Sequence, residues 1–253
     1  MTEELNLAGV TVARGEKPVV RDADMHIKRG QITAVLGANG AGKSTLVMGI
    51  AGVLPVISGQ ILLEGDSIAG LRPEVIRRRG VVTLPEGHPV LTELTVGENL
   101  RVAGSNLSRS DLAQMVAEAL EVFPELRAKL DARAGDLSGG QQQMLGLAQA
   151  VIARPRFLLA DELSFGLAPL IVRRLVAVLA RLAESGVGIL LIEQFTQVAL
   201  GISQHAYVLD RGRVRFSGPP DVLRKQPDIL HQAYLASADA PAIREERTQG
   251  RNG

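Results

Sequence analysis

Between Arg21 and Lys28 the side chains alternate strictly: Ala23, Met25 and Ile27 are apolar, while Asp22, Asp24, His26 and Lys28 are polar. That period of two predicts a half-buried antiparallel strand, with Leu5 to Val12 as its neighbour. Further along the pattern changes. Ile32 to Leu36, Val81 to Leu84, Phe157 to Ala160 and Val187 to Ile192 are continuous apolar runs, separated by stretches with helical spacing. Strands apolar on both faces need cover on both faces, so these runs predict buried parallel strands in an α/β sheet. From Leu94 to Ala153 no strand-like run occurs, and Leu112, Met115, Val116, Ala119, Leu120 and Phe123 recur at helical intervals. The expected organisation is a sheet domain over residues 1–236 with a helical lobe, about 87–153, inserted in it. Beyond Ala236 the chain turns polar, through Arg244, Glu245, Glu246, Arg247 and Gln249, and residues 237–253 are expected to form a disordered tail. No internal repeat is visible.

Composition narrows the function classes. The 253 residues are 46% hydrophobic, enough for one large domain with a lobe. Net charge is +1, with both signs scattered along the length, so the basic footprint of a nucleic-acid binder is missing. There are no cysteines, which removes disulfides and thiolate metal sites. The start, Met1-Thr2-Glu3-Glu4, has no apolar core, and the longest apolar runs fall far below the roughly 18 residues that span a bilayer. The expectation is a chain that is neither secreted nor membrane-spanning.

Two glycine-rich loops carry the candidate chemistry. Gly37-Ala38-Asn39-Gly40-Ala41-Gly42-Lys43-Ser44-Thr45 fits G-x-x-x-x-G-K-[ST], follows a buried strand and opens a helix at Leu46-Val47-Met48. In such a loop the backbone N–H groups wrap a β-phosphate, the lysine reaches the β and γ oxygens, and the serine hydroxyl serves Mg²⁺. A phosphate loop also needs a carboxylate at a neighbouring strand tip. Phe157-Leu158-Leu159-Ala160-Asp161-Glu162 supplies two, the Walker B pattern: Asp161 for the metal and Glu162 as general base for the attacking water.

The second loop, Leu137-Ser138-Gly139-Gly140-Gln141, lies between the two Walker motifs, 24 positions before Asp161. With that order and spacing the chain resembles the ATP-binding cassette (ABC) ATPases over about residues 5 to 235. The resemblance implies an α/β P-loop NTPase fold with a RecA-like parallel-sheet core, an N-terminal antiparallel β-subdomain and an inserted helical subdomain. It also explains the two loops. In that family two cassettes pack head to tail, and each signature loop closes on the ATP held by the other. Ser138, Gly139, Gly140 and Gln141 would then meet a γ-phosphate across an interface, at the positive end of the following helix.

Finer motifs point to a subfamily. Leu84-Pro85-Glu86-Gly87, the run Leu94 to Leu100, Gly166-Leu167-Ala168-Pro169 and Leu191-Ile192-Glu193-Gln194 resemble the ATPase subunits of branched-chain amino acid importers, a pattern shared with urea and short-chain amide importers. The resemblance puts Glu86 near the metal or the water. It puts Gln194 where the wider family has histidine; the glutamine can donate an amide N–H to the γ-phosphate but carries no positive charge. The catalytic set it implies is Glu162, Gln194 and Lys43, with ATP and Mg²⁺ as nucleotide and cofactor. Two positions depart from the pattern. Leu163 replaces the usual proline after the catalytic glutamate, a change expected to alter only local stiffness. Arg14 replaces the aromatic that stacks on adenine, and no Phe, Tyr or Trp precedes Phe123. Arg14 is either a guanidinium plane lying over the purine or a solvated arginine in a turn. The four histidines fall outside these motifs.

The implied partners are membrane permease subunits, a second ABC ATPase chain (identical or paralogous) and, indirectly, a solute-binding protein; the implied location is the cytoplasmic face of the membrane. Two other classes are open to comparison. Soluble ABC ATPases of DNA repair or translation usually carry tandem cassettes, long coiled coils or zinc cysteines, none of which this sequence has. A P-loop nucleotide kinase would have no use for the signature loop.

Overall fold

The computed structural model describes residues 3–85, 87, 90–164 and 167–238. Its strands are β1 (Glu4–Arg14), β2 (Lys17–Lys28), β3 (Ile32–Leu36), β4 (Val56–Leu63), β5 (Asp66–Ser67), β6 (Val81–Leu84), β7 (Phe157–Asp161), β8 (Gly188–Ile192), β9 (His205–Asp210) and β10 (Arg213–Gly218). The helices are α1 (Lys43–Ile50), α2 (Pro73–Arg78), α3 (Val96–Ala103), α4 (Arg109–Val122), α5 (Pro124–Arg127), α6 (Gly139–Ala153), α7 (Pro169–Glu184), α8 (Thr196–Ile202), α9 (Pro220–Lys225) and α10 (Pro227–Ala238).

The predicted N-terminal pair is present, with Leu5 opposite Ile27 and Leu7 opposite Met25. Ala23, Met25 and Ile27 are fully buried, and the polar residues between them face solvent. Two further strands that the alternation did not announce complete this antiparallel sheet, in the order β2-β1-β4-β5. In β4 only the Ile61 to Leu63 end is buried, so its period-two signal is weak.

All four continuous apolar runs are strands of the second sheet, ordered β10-β9-β3-β8-β7-β6. The β6–β7, β7–β8, β8–β3 and β3–β9 pairs are parallel. The antiparallel hairpin β9–β10, also unannounced, closes one edge. Strand alternation splits the core between the two faces. Val35, Phe157, Leu159, Leu190 and Ile192 pack with α1 and the N-terminal sheet. Ala34, Leu36, Leu158, Ala160 and Leu191 pack with the helical lobe, α7 and α8. A fully buried Val, Leu, Ile or Phe side chain contributes about 1.5–3 kcal/mol, so both layers are strongly driven. Gly49 shows how closely α1 is seated: a Cβ there would meet Val12 Cγ2 at 2.5 Å.

Between β6 and β7 the regular elements among the described residues are α3 to α6, with a 3-10 turn over Ala134–Asp136 and a bridge pairing Thr95 with Arg133. Helix α4 buries Met115, Ala119 and Leu120 at the predicted spacing, starts on a Ser108 cap and ends at Phe123. The boundary expected at 236 falls inside α10, which runs to Ala238; the tail from residue 239 onward lies outside the described residues.

Candidate functional site

Strands β3, β8 and β7 lie side by side, so the loops leaving their carboxyl ends converge. Leu36 ends β3, and the chain turns through Gly37 to Gly42 into α1. Gly37 has φ +153°, and a Cβ on it would lie 2.2 Å from the Leu209 carbonyl oxygen of β9. Only glycine lets the loop pass that close. Helix α1 starts on Gly42, itself at φ +107°, without a side-chain cap. Its first N–H groups are of the kind an anion satisfies. Lys43 is 4% exposed, and its Nζ donates to the carbonyls of Gly37 at 2.8 Å and Ala38 at 3.1 Å.

Asp161 is the last residue of β7 and is buried. Glu162 follows in the left-handed region at φ +50°, a conformation that costs a non-glycine residue roughly 1–2 kcal/mol. Its N–H donates to the Ile192 carbonyl at 2.9 Å, and its Oε1 lies 3.8 Å from Lys43 Nζ. The Lys43–Glu162 ion pair joins the phosphate loop to the end of β7 at the floor of a cleft of about 470 Å³. Asn39, Gly40, Gly42, Ser44, Thr45 and Gln194 also line that cleft. Arg14, the last residue of β1, stands at its edge beside Val19. Arg14 is exposed, and its Nε donates to Thr45 Oγ1 at 2.9 Å in the first turn of α1.

Asp161 lines a neighbouring groove of about 490 Å³ between α1, α2, β6, α3 and α6. Glu86, assigned to the metal by resemblance, lies outside the described residues. Ser44 and Asp161 offer a hydroxyl and a carboxylate, the hard oxygen donors that suit Mg²⁺. Among the described residues no cluster of three or more His, Asp or Glu forms a metal cage; a cation shared with phosphates needs only one or two protein oxygens.

The signature residues are not in the cleft. Ser138 caps α6 in a reciprocal box: its Oγ accepts from Gln141 N–H, and Ser138 N–H donates to Gln141 Oε1 at 3.1 Å. The Gln141 amide oxygen thus serves the helix start. Ser138 and Gly139 are exposed, and Ser138 keeps its hydroxyl proton for an outside acceptor.

Three features escaped the sequence reading. Leu163 is not merely a stiffness change: at 2% exposure it is a core side chain beneath α7 and α8. Glu193 is buried next to the cleft, where Ser164 N–H donates to its Oε1 at 3.1 Å and Ser164 Oγ–H to its Oε2. Burial pushes the Glu193 carboxyl up, the two Ser164 bonds oppose this, and the nearby charges of Glu162 and Asp161 add to the rise. Asn99, fully buried on α3, pins the loop before it by accepting from Leu91 N–H and donating to the Leu91 and Thr95 carbonyls. Gln149 of α6 donates to the same Asn99 oxygen. No short-range pattern marks these residues. Of the histidines, His205 bonds Ser217 and packs its ring tilted against Tyr207, and partial burial, with the charges of Lys28 and His26 adding, pushes its pKa down. His26 and His231 are exposed, and His88 lies outside the described residues.

A parallel sheet with a phosphate loop after β3, paired acids after β7 and a capped signature helix defines a P-loop nucleotide hydrolase of the cassette type. The chain belongs to the ABC transporter family, whose model matches residues 20–164. It is 37% identical over 231 residues to the high-affinity branched-chain amino acid transport ATP-binding protein BraG of Pseudomonas aeruginosa, covering 91% of this chain and 99% of the relative. A probable branched-chain amino acid transport ATP-binding protein, LivF of Archaeoglobus fulgidus, is 40% identical over 82% of this chain and 89% of its own length. Among solved structures, an ATP-binding subunit of an ABC transporter superposes with a TM-score of 0.81 at 28% identity, over 92% of this chain and 97% of that one. The fold is accordingly an ABC ATPase cassette, and the chain is an ATP hydrolase.

Proposed function

We propose that this chain is the energy-coupling subunit of an ABC importer for branched-chain amino acids or a related small polar solute such as urea or a short-chain amide. The observation that carries the reading is the single cleft lined by phosphate loop, Glu162 and Gln194, with the signature residues facing outward elsewhere. The relatives named for branched-chain amino acid transport, matched over 91% and 82% of the chain, support the choice of solute.

In this reading the loop from Gly37 to Thr45 cradles the phosphates and Lys43 neutralises the β and γ oxygens. Ser44 and Asp161, and by the family resemblance Glu86, would hold Mg²⁺, which supplies charge neutralisation on the phosphates. Glu162 accepts a proton from water as its oxygen attacks the γ-phosphorus; the bond to the bridging oxygen breaks, and ADP and phosphate leave. Gln194 donates an amide N–H to the γ-phosphate. Arg14, held edge-on by Thr45, offers its guanidinium face to adenine. A second ATPase chain, identical or paralogous, supplies Ser138, Gly139, Gly140 and Gln141 from across an interface.

The permease docks in the 490 Å³ groove. Exposed apolar side chains surround it: Val53 at 60%, Leu91 at 49% and Val102 at 41% exposure. Among the described residues no helix is long and apolar enough to cross a membrane. In this reading the chain sits peripherally on the cytoplasmic face and meets the solute-binding protein only through the permease. Coexpression with the permease subunits of a branched-chain amino acid importer tests this directly. The complex should copurify, and Val102→Asp with Leu91→Asp should release the permease while leaving ATP binding intact. Retained copurification, or capture of DNA or ribosomes instead, would contradict it.

A further inference from the structure

Glu162 needs an external reason to stay where it is. Its backbone occupies the left-handed region, which a glutamate rarely adopts unless its surroundings over-determine it. Its own N–H bond to Ile192 fixes the entry to the turn. The exit is fixed by the next two residues. Leu163 is plugged into the apolar layer between Leu175, Leu179, Leu191, Val198 and Ile202. Ser164, 3% exposed, gives both its backbone N–H and its hydroxyl proton to the two oxygens of Glu193. Glu193 is equally buried and directly follows β8, the strand paired with β7 through Asp161 and Ile192. A carboxylate gripped from two directions at the end of one strand thus holds the turn that leaves the next.

We propose that Glu193 and Ser164 are positioning residues for hydrolysis: the buried carboxylate clamps Ser164 and so keeps Glu162, two residues earlier, in the left-handed turn that aims its carboxylate at Lys43 and the cleft. The clamp also spans the two catalytic loops, because Glu193 precedes the cleft-lining Gln194. The proposal rests on the reading of Glu162 as the base. It concerns geometry rather than charge: a glutamine at 193 can accept Ser164 N–H on its carbonyl and donate from its amide to Ser164 Oγ.

The test compares the full chain with Glu193→Ala, Glu193→Gln, Ser164→Ala and Glu162→Gln. For each, kcat, KM and melting temperature are measured with MgATP, and the ATP dissociation constant by titration. A base displaced by a fraction of an ångström loses rate rather than binding. Glu193→Ala should therefore lower kcat about 10- to 100-fold, with KM and the dissociation constant within about threefold of the parent. Ser164→Ala, which keeps the backbone bond, should fall between it and the parent. Glu193→Gln should hold kcat within about threefold. Three results overturn the clamp: kcat unchanged in Glu193→Ala, KM worsening by the same factor as kcat falls, or Glu193→Gln as slow as Glu193→Ala. If Glu193→Ala does not fold, Ser164→Ala decides, and an unchanged kcat there overturns it equally. Turnover persisting in Glu162→Gln would sink the base assignment itself, whereas an inactive Glu162→Gln beside a fully active Glu193→Ala sinks the clamp alone.

Discussion

Replacing Gly37 with alanine is the smallest change that strikes the phosphate loop. The added Cβ would sit 2.2 Å from the Leu209 carbonyl oxygen, 3.2 Å from the Leu209 carbonyl carbon and 3.3 Å from Ala41 Cβ. To reach even 3.0 Å from that oxygen, loop and strand must part by about 0.8 Å. Strand β9 cannot yield easily, since Leu209 is paired to Val214 and the preceding Val208 to Leu36. The loop moves instead, carrying with it the carbonyls that hold Lys43. Overpacking of this kind costs about 1–3 kcal/mol, which for a chain of this size lowers Tm by about 2–12 °C. Misplaced N–H groups should also raise the dissociation constant for ATP at least about tenfold, the equivalent of 1.4 kcal/mol. Gly40→Ala is the control: Gly40 also has positive φ (+79°), but nothing lies within 4 Å of its added Cβ. Its stability cost is then the conformational one, about 1–2 kcal/mol at most. Circular-dichroism melting and nucleotide titration on the three proteins measure both effects. A Gly37→Ala protein with Tm within 1 °C and affinity within twofold of the parent would refute the reasoning, as would a larger Tm loss in Gly40→Ala.

Asn99→Ala should cost about 1–3 kcal/mol in denaturant unfolding, because the fully buried Asn99 side chain is the acceptor of Leu91 N–H, while the Leu91 and Thr95 carbonyls keep backbone donors; a loss under about 1 kcal/mol would show the knot to be dispensable. The hydrogen bond from Arg174 on α7 holds the Glu125 carboxyl of α5 below the usual carboxylate range. A depressed carboxylate stabilises the fold above its unfolded pKa and ceases to do so as pH falls through its folded one. Arg174→Ala should therefore cost up to about 1 kcal/mol at pH 7, the pair being partly exposed, and less in strong acid, where only its bond to the Val122 carbonyl is left to lose; a difference that grows on acidification would contradict this. Mixing Lys43→Ala with Ser138→Arg pairs the intact phosphate loop of one chain with the intact signature of the other, so two inactive proteins of a self-pairing chain should regain part of one site's ATPase activity; phosphate release at every ratio no higher than for either alone would argue against self-pairing.

Long apolar runs and motifs with fixed spacing were legible because each is a local signal. The run Phe157 to Asp161 states both its burial and its acidic end in five letters. The strict alternation of Arg21 to Lys28 likewise gave β2 its buried face. What stayed hidden depends on contacts distant in sequence. Strand β4 shows little alternation because it is mostly exposed, and β10, with no fully buried residue before Gly218, is an edge. Glu193 reads as a polar residue beside Gln194, and only its proximity to Ser164, 29 positions earlier, makes it a clamp. Leu163 reads as a departure from a motif, yet its burial is decided by α7 and α8. Arg14 reads in sequence as either a base-stacking plane or a solvated turn; its bond to Thr45, 31 positions on, and its place along the cleft appear only in the fold.

The most direct test of the account is the turnover of Glu162→Gln at saturating MgATP, read as phosphate release beside the ATP dissociation constant. The amide keeps the shape of the side chain but cannot take the proton of the attacking water. The cleft, the phosphate loop and Lys43 remain. The account predicts ATP affinity within about threefold of the parent and hydrolysis reduced by at least about 100-fold, the lower end of the range a general base supplies. Phosphate release within threefold of the parent would contradict it.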